Sequence, residues 1–410
     1  MNERNLKAYG YRWVVLLAFV LLGAMTQVLW ISFAPITSEA AKFYGRSDLM
    51  IGLLSMVFMA VYILIVIPSA WAIDTLGFKT AVGIGAVATG GFGLARGLFA
   101  SNFTMVFICQ IGLAFGQPFV LGAITTLAAR WFPAKERATA AGLGTLALYL
   151  GPLAAMFLTP MLLVRVGMVR MLTIYGIAAA VSAVLFLLLA RDRPPTPVGR
   201  EERALMFDGL RSMMKRRDFL FLLGIFFIGL GLFNCVSTWI EDIVRPRGFS
   251  IAQAGRVGGL MLIGGILGAV IMPLLSDKFR RRKPFIILAV AGLLPGLLGL
   301  TFAADIRLLM LSGFFVGFFL LSAGPIGFQY AAEITHPAPE GTSNSLLLVS
   351  GQISGIIFIL AMDALKNKAT GSMTTSLLGL AGLVAGAILL ALFLPESPVC
   401  REAQKIDPLG

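Results

Sequence analysis

Five side chains fall inside long apolar runs and could bind a solute there: Trp30, Gln117, Tyr149, Asn234 and Gln352. A polar group in hydrocarbon is costly unless paired, so residues of this kind mark a substrate path by default. The faces of Trp30 and Tyr149 suit a desolvated ammonium group, which gains about 2 kcal/mol or more over an aromatic ring. The amides of Gln117, Asn234 and Gln352 suit the orientation of hydroxyl, amine or carbonyl groups. This is recognition chemistry, with no covalent step implied. Each residue also has a plainer reading. Trp30 could anchor a helix at the membrane interface, Asn234 could pack beside Cys235, and the glutamines could join two helices by a bond worth about 0.6 kcal/mol.

The chemistry that is absent narrows the function further. No Asp or Glu falls near the middle of an apolar run; Glu241, Asp242, Glu333 and Asp363 sit at or near the ends, and the single histidine, His336, lies in a loop. Proton-coupled transporters usually use a titratable group that is buried and exposed in turn, so the pattern favours a uniporter over a proton symporter. Arg96 is the one basic residue inside a run; it stands near the outer end and is expected to snorkel to the interface. No nucleophile–base pair, metal-ligand cluster or phosphate-cradling loop is visible, so neither an enzyme nor a bound cofactor or metal is expected. Cys109, Cys235 and Cys400 are odd in number and scattered, which suits packing better than a disulfide framework.

The elements that must carry these residues are transmembrane helices. The chain has 410 residues, 58% hydrophobic and 13% charged, with a mean hydropathy of +0.90. A bilayer core of roughly 30 Å needs about 20 apolar residues in a helix. Such windows fall near residues 13–36, 51–73, 80–100, 105–130, 138–163, 171–190, 219–241, 256–276, 284–303, 307–332, 343–364 and 375–394. The fold class expected is therefore an all-α membrane protein with twelve spans. The first run is too long for a cleavable signal peptide and reads as the first span.

Counted from an inside start, 22 of the 33 Lys and Arg fall on one side and 10 on the other. That excess puts both termini in the cytoplasm. The net charge of +13 is accordingly an orientation signal and a contact with anionic lipid heads, and nucleic acid is not an expected partner. The expected setting is the cell (inner) membrane, with the protein acting as a monomer. The polar stretch 191–218 divides the spans six and six. The expected organisation is an N-terminal bundle at 1–190, a cytoplasmic linker at 191–218 and a C-terminal bundle at 219–410 with a short tail. Within the linker, Leu205, Met206, Leu210, Met213 and Met214 are spaced as in a helix lying on the membrane surface.

The two halves echo each other in their cytoplasmic loops. Asp74, Gly77 and Lys79 follow the second span, and Asp277 with Arg280, Arg281, Arg282 and Lys283 follows the eighth. Arg130-Trp131-Phe132-Pro133 with Glu136-Arg137 closes the fourth span, and Glu333 with Pro337 and Glu340-Gly341 closes the tenth. Acids and bases at neighbouring helix ends can form a charged latch that opens and closes during transport. Asp74, Gly77, Lys79, Arg130, Glu136, Arg137, Asp277 and Arg281 are the candidates. Here the chain resembles the major facilitator superfamily, through its D-x-x-G-x-K and R-W-F-P-x-x-E-R loops. The resemblance implies two pseudo-symmetric six-helix bundles and alternating access around a central site.

A narrower resemblance is to the feline leukaemia virus subgroup C receptor family of choline, ethanolamine and haem-related transporters. Trp30-Ile31, Phe43-Tyr44-Gly45, Gly264 to Val270, Pro325-Ile326-Gly327-Phe328, Glu333 to Pro337 and Gln352 to Phe358 carry it. In that family a helix-one Trp, a helix-seven Tyr, a helix-five Gln and a helix-eleven Gln are associated with choline. The resemblance places Trp30 and Gln352 at two of these positions, with Asn234 at the Tyr and Tyr149 at the helix-five Gln. The expected function is facilitative transport of a small polar or cationic organic solute. The rivals are a carrier of organic anions that uses Arg96, with or without ion coupling, and a receptor that binds ligand without moving it.

Overall fold

In lipid every backbone N–H and C=O must be satisfied within the protein, which allows helices or closed barrels, and apolar runs of about 20 residues have the length of helices. A computed structural model describes residues 9–194, 210–336 and 340–406. Among them eleven helices are long and apolar enough to cross a membrane. One of these, Ala134–Leu189, has 56 residues, far more than the 20 or so a bilayer needs. It breaks at Gly167, where φ is 78° and ψ 170°, backbone that essentially only glycine adopts. The break divides it into spans 5 and 6, which brings the crossings to the expected twelve.

Span 1 is Arg12–Ile31, interrupted by a 3-10 turn at Ala34–Ile36 and continued by Thr37–Tyr44. Span 2 is Asp48–Leu76, span 3 Phe78–Leu98, and span 4 Phe103–Leu121 with Ile124–Trp131 beyond a break. Span 7 is Arg217–Thr238, extended by Ile240–Val244. Spans 8 to 12 are Ile251–Lys278, Lys283–Phe302, Ile306–Thr335, Glu340–Ala364 and Thr374–Phe393. Spans 5, 8 and 11 begin three to five residues before the apolar windows do, because polar residues at the interface continue the helix. Span 8 shows why: Ser250 and Gln253 form a capping box there. Of the expected surface helix in the linker, Leu205 and Met206 lie outside the described residues, and only Leu210–Met213 is seen as helix.

The chain forms two compact units, Met1–Glu202 and Arg203–Gly410. Unit 1 buries Phe19, Leu22, Phe78, Val120, Trp131, Phe132 and Phe186 in one cluster. In unit 2, glycines on spans 8 and 10 let two backbones meet: a Cβ on Gly264 or Gly268 would strike the carbonyls of Phe314 or Phe318, and one on Gly317 that of Met261. Leu64, Leu98, Val164, Leu188 and Phe393 stay exposed, as lipid-facing side chains do. Neither Gly151-Pro152 nor Gly324-Pro325 interrupts its helix.

Candidate functional site

Trp30 stands on the last turn of the first helix, almost fully buried. Its indole N–H donates to Ser55 O at 3.2 Å, and Ser55 Oγ donates back to Trp30 O at 3.3 Å. Span 2 thus fixes the ring and uses up its only donor, leaving the aromatic face as the part able to meet a solute.

One turn away the structure corrects the expectation for Arg96. The side chain does not snorkel; it is completely buried. Nη1 donates to Leu29 O and Ser32 Oγ, each at 3.2 Å, and to Gln110 Oε1 at 3.0 Å, and the guanidinium lies 5.7 Å from the Phe33 ring centroid. Gln110 Nε2 also donates to Leu29 O. The physical reason is the break in span 1. A helix that ends within the membrane turns its last carbonyls toward any donor within reach, and a cation at that end is favoured by the helix dipole. Nε and Nη2 of Arg96 find no partner among the described residues.

The other candidates in unit 1 have idle polar groups. Gln117 is 7% exposed, and neither it nor half-buried Tyr149 makes a side-chain hydrogen bond among the described residues. Tyr149 stands two residues from both Ala147 and Gly151, which face Gly23 and Gln27 of span 1. At 3.6 residues per turn it lies on nearly the opposite side of its helix, and no ring contact joins it to Trp30 among the described residues. Gln27 on span 1 and Tyr62 on span 2 also carry idle polar groups and are missing from the candidates read in the sequence. Only the apolar run around Gln27, with Trp30 three residues on, could have pointed to it.

In unit 2, Asn234 Nδ2 donates to Gly351 O at 3.2 Å, which sets Asn234 beside the backbone of Gln352. Glycines permit this: a Cβ on Gly351 would strike Leu230, and one on Gly231 would come 2.6 Å from Ser354 Oγ. The Gln352 amide is half-buried and makes no hydrogen bond among the described residues. At the end of span 7, Asp242 accepts from Arg245 at 2.8 Å and from Lys366 at 2.6 Å, while Glu241 lies 3.5 Å from Arg245. Both carboxylates are buried and belong to this charge cluster. A cavity of about 170 Å³ lined by residues including Arg247, Thr301, Ser372 and Thr374 contains none of the candidates.

The loop residues form latches inside each unit, with some partners other than those expected. Asp74 is exposed and makes no ion pair among the described residues; the acid that serves its loop is Asp192, past the end of span 6. Asp192 Oδ1 accepts from Lys79 N and from Arg130 Nη1, both at 3.2 Å. Glu136 pairs with Arg12 at 3.0 Å, and Arg137 donates to Phe132 O. In unit 2, Arg282 rather than Arg281 joins Asp277, and it also meets Glu333 at 3.2 Å. Burial acts to lower the Arg282 pKa, but these two carboxylates outweigh it and the net shift is upward. The Arg281 side chain is exposed, and its carbonyl accepts from Ser276. Glu396, past the end of span 12, accepts from the backbone N–H of Arg282 at 2.7 Å and of Lys283 at 3.2 Å.

Known proteins resemble this chain in sequence and in fold. A sequence model described as the Major Facilitator Superfamily matches residues 15–274 and 221–408. Solute carrier family 49 member A3 of Danio rerio is 32% identical over 377 residues, covering 87% of this chain and 79% of that protein. The choline/ethanolamine transporter flvcr2a of the same organism is 28% identical, covering 98% of this chain and 88% of its own. Among solved structures, the nucleoside transporter NupG (D323A mutant) superposes with a TM-score of 0.74 at 14% identity, over 93% of this chain and 99% of its own. With its apolar helices, its paired loop latches and these matches, the chain belongs to the major facilitator superfamily of membrane transporters and resembles the feline leukaemia virus subgroup C receptor family within it.

Proposed function

We propose that this transporter carries a short organic cation or ammonium alcohol by facilitated diffusion, with Trp30 as the principal contact. The observation that carries this reading is the state of Trp30: its N–H is bonded to Ser55 O, so only its π face is free for recognition, and a π face favours an ammonium group. Gln117 adds a polar contact from the same unit. Relatives described as choline/ethanolamine transporters support the substrate class. Facilitated transport fits a chain whose buried acids, Glu241 and Asp242, are engaged with Arg245 and Lys366. The anion-carrier reading would need Arg96 to meet the solute; its complete burial against Leu29, Ser32 and Gln110 speaks for a structural role. The reading also places the protein in the cell membrane as a monomer, with both termini in the cytoplasm.

The test is thermal unfolding of the purified protein with choline, ethanolamine, betaine and small carboxylates. A ligand that binds only the folded state stabilises by about 2.7 kcal/mol at a hundred times its dissociation constant. Stabilisation by choline that disappears in Trp30→Ala is expected. Stabilisation by carboxylates alone, unchanged in Trp30→Ala, would discard the proposal, and binding without flux in liposomes would make the protein a receptor.

A further inference from the structure

Two contacts bracket one stretch of unit 1 and show spans 1 and 4 running antiparallel. At one end the Cβ position of Gly23 lies 3.9 Å from both Val120 Cγ1 and Leu121 Cδ2. At the other, Gln110 Nε2 donates to Leu29 O at 3.2 Å. Gln27 falls between Gly23 and Leu29 on span 1; Gln117 falls between Gln110 and Val120 on span 4. Gln27 is four residues beyond Gly23 and three before Trp30, so all three share one helix face. Span 5 packs closely at that point, since a Cβ on Gly151 would come 2.5 Å from Gln27 Cβ.

Gln27 is 5% exposed and its amide, like that of Gln117, makes no hydrogen bond among the described residues. Neither amide is sealed completely, because the fully enclosed polar atoms without partners do not include them. Gln110 is the contrast: on the same face of span 4 as Gln117, it is committed to Leu29 O and Arg96. A primary amide offers two donors and one acceptor, and burying it unpaired is unfavourable unless a ligand completes it.

We propose that Gln27, together with Gln117, receives the hydroxyl or primary-amine end of a solute whose ammonium body lies on Trp30. The inference rests on the Trp30 reading above and adds the group that sets specificity. Three residues separate Gln27 from Trp30, an axial step of about 4.5 Å, which suits a solute whose two ends are joined by a two-carbon unit.

The experiment compares dissociation constants for 2-hydroxyethyl-trimethylammonium and for ethyl-trimethylammonium, which lacks the hydroxyl, in the full-length protein and in Gln27→Leu, Gln27→Met and Trp30→Ala. The unaltered protein is expected to prefer the hydroxyl compound about three- to tenfold, the worth of one neutral hydrogen bond. Gln27→Leu should erase that preference while holding the ethyl compound within about twofold of its original affinity. Gln27→Met, close to Gln in length, gives the same reading if the Leu variant does not fold. A preference that persists in both variants, or that is absent from the unaltered protein, overturns the role of Gln27. If Trp30→Ala abolishes binding in that case, the Trp30 reading survives; if neither ammonium binds the unaltered protein, both fall.

Discussion

A fully buried arginine in a membrane span needs a reason, and Arg96 finds it at the end of a broken helix. Nη1 and the Gln110 amide converge on Leu29 O, one residue before Trp30, so this polar knot holds the turn that carries the candidate aromatic ring. Methionine keeps most of the packing volume and removes the two unpartnered donors, Nε and Nη2; Gln110 still serves Leu29 O. Arg96→Met is therefore expected to be more stable than Arg96→Ala, which opens a cavity, by about 2–5 kcal/mol in thermal unfolding of the purified protein. Equal losses in the two variants would show that charge rather than packing matters at this position. The Arg96 knot is not legible in the sequence, because a helix-end arginine reads as a snorkelling one until its neighbours are known.

At the scale of elements, the two units repeat one device. The chain leaving the last helix of each unit supplies an acid, Asp192 or Glu396, to the backbone N–H groups at the start of span 3 or span 9. Gly77 makes the first version possible: its φ of 90° and ψ of 165° are essentially reserved for glycine, and a Cβ there would lie 2.7 Å from Asp192 Oδ1. Gly77→Ala is expected to cost about 1–3 kcal/mol of stability and to lower flux in liposomes. The matched control is Gly341→Ala, a helical position where a Cβ would meet nothing within 4 Å and stability should hold or rise by up to about 1 kcal/mol. Gly77, Lys79 and Arg130 are readable from motif spacing. Asp192 is not, because it lies 113 residues from Lys79 along the chain and only the packing of span 6 beside span 3 brings it to the loop.

The whole molecule is governed by lipid. Large apolar side chains such as Leu64, Leu188 and Phe393 remain exposed because hydrocarbon, not water, is their surroundings. The asymmetry of Lys and Arg predicts both termini in the cytoplasm. Epitope tags at either end should be reached by antibody only after cells are permeabilised, and a tag inserted at 367–373, between spans 11 and 12, should be reached in intact cells. The reverse pattern would invert the orientation.

Hydropathy over 20 residues and short loop motifs are local properties of the chain, so the membrane class, the twelve crossings and the superfamily are all legible along it. The same holds for helix starts that carry their own caps, such as Asn102 and Asp305. The partners of the polar side chains are a different matter, set only when the helices pack: Arg96 turned inward to Leu29, Asp192 serving the loop of Asp74, Arg282 acting in place of Arg281, and Gln110 bonded where Gln27 and Gln117 are idle. These glutamines have the same chemistry and similar apolar surroundings in sequence. What separates them is which carbonyl the neighbouring helix presents, and that depends on how the helices of each unit pack.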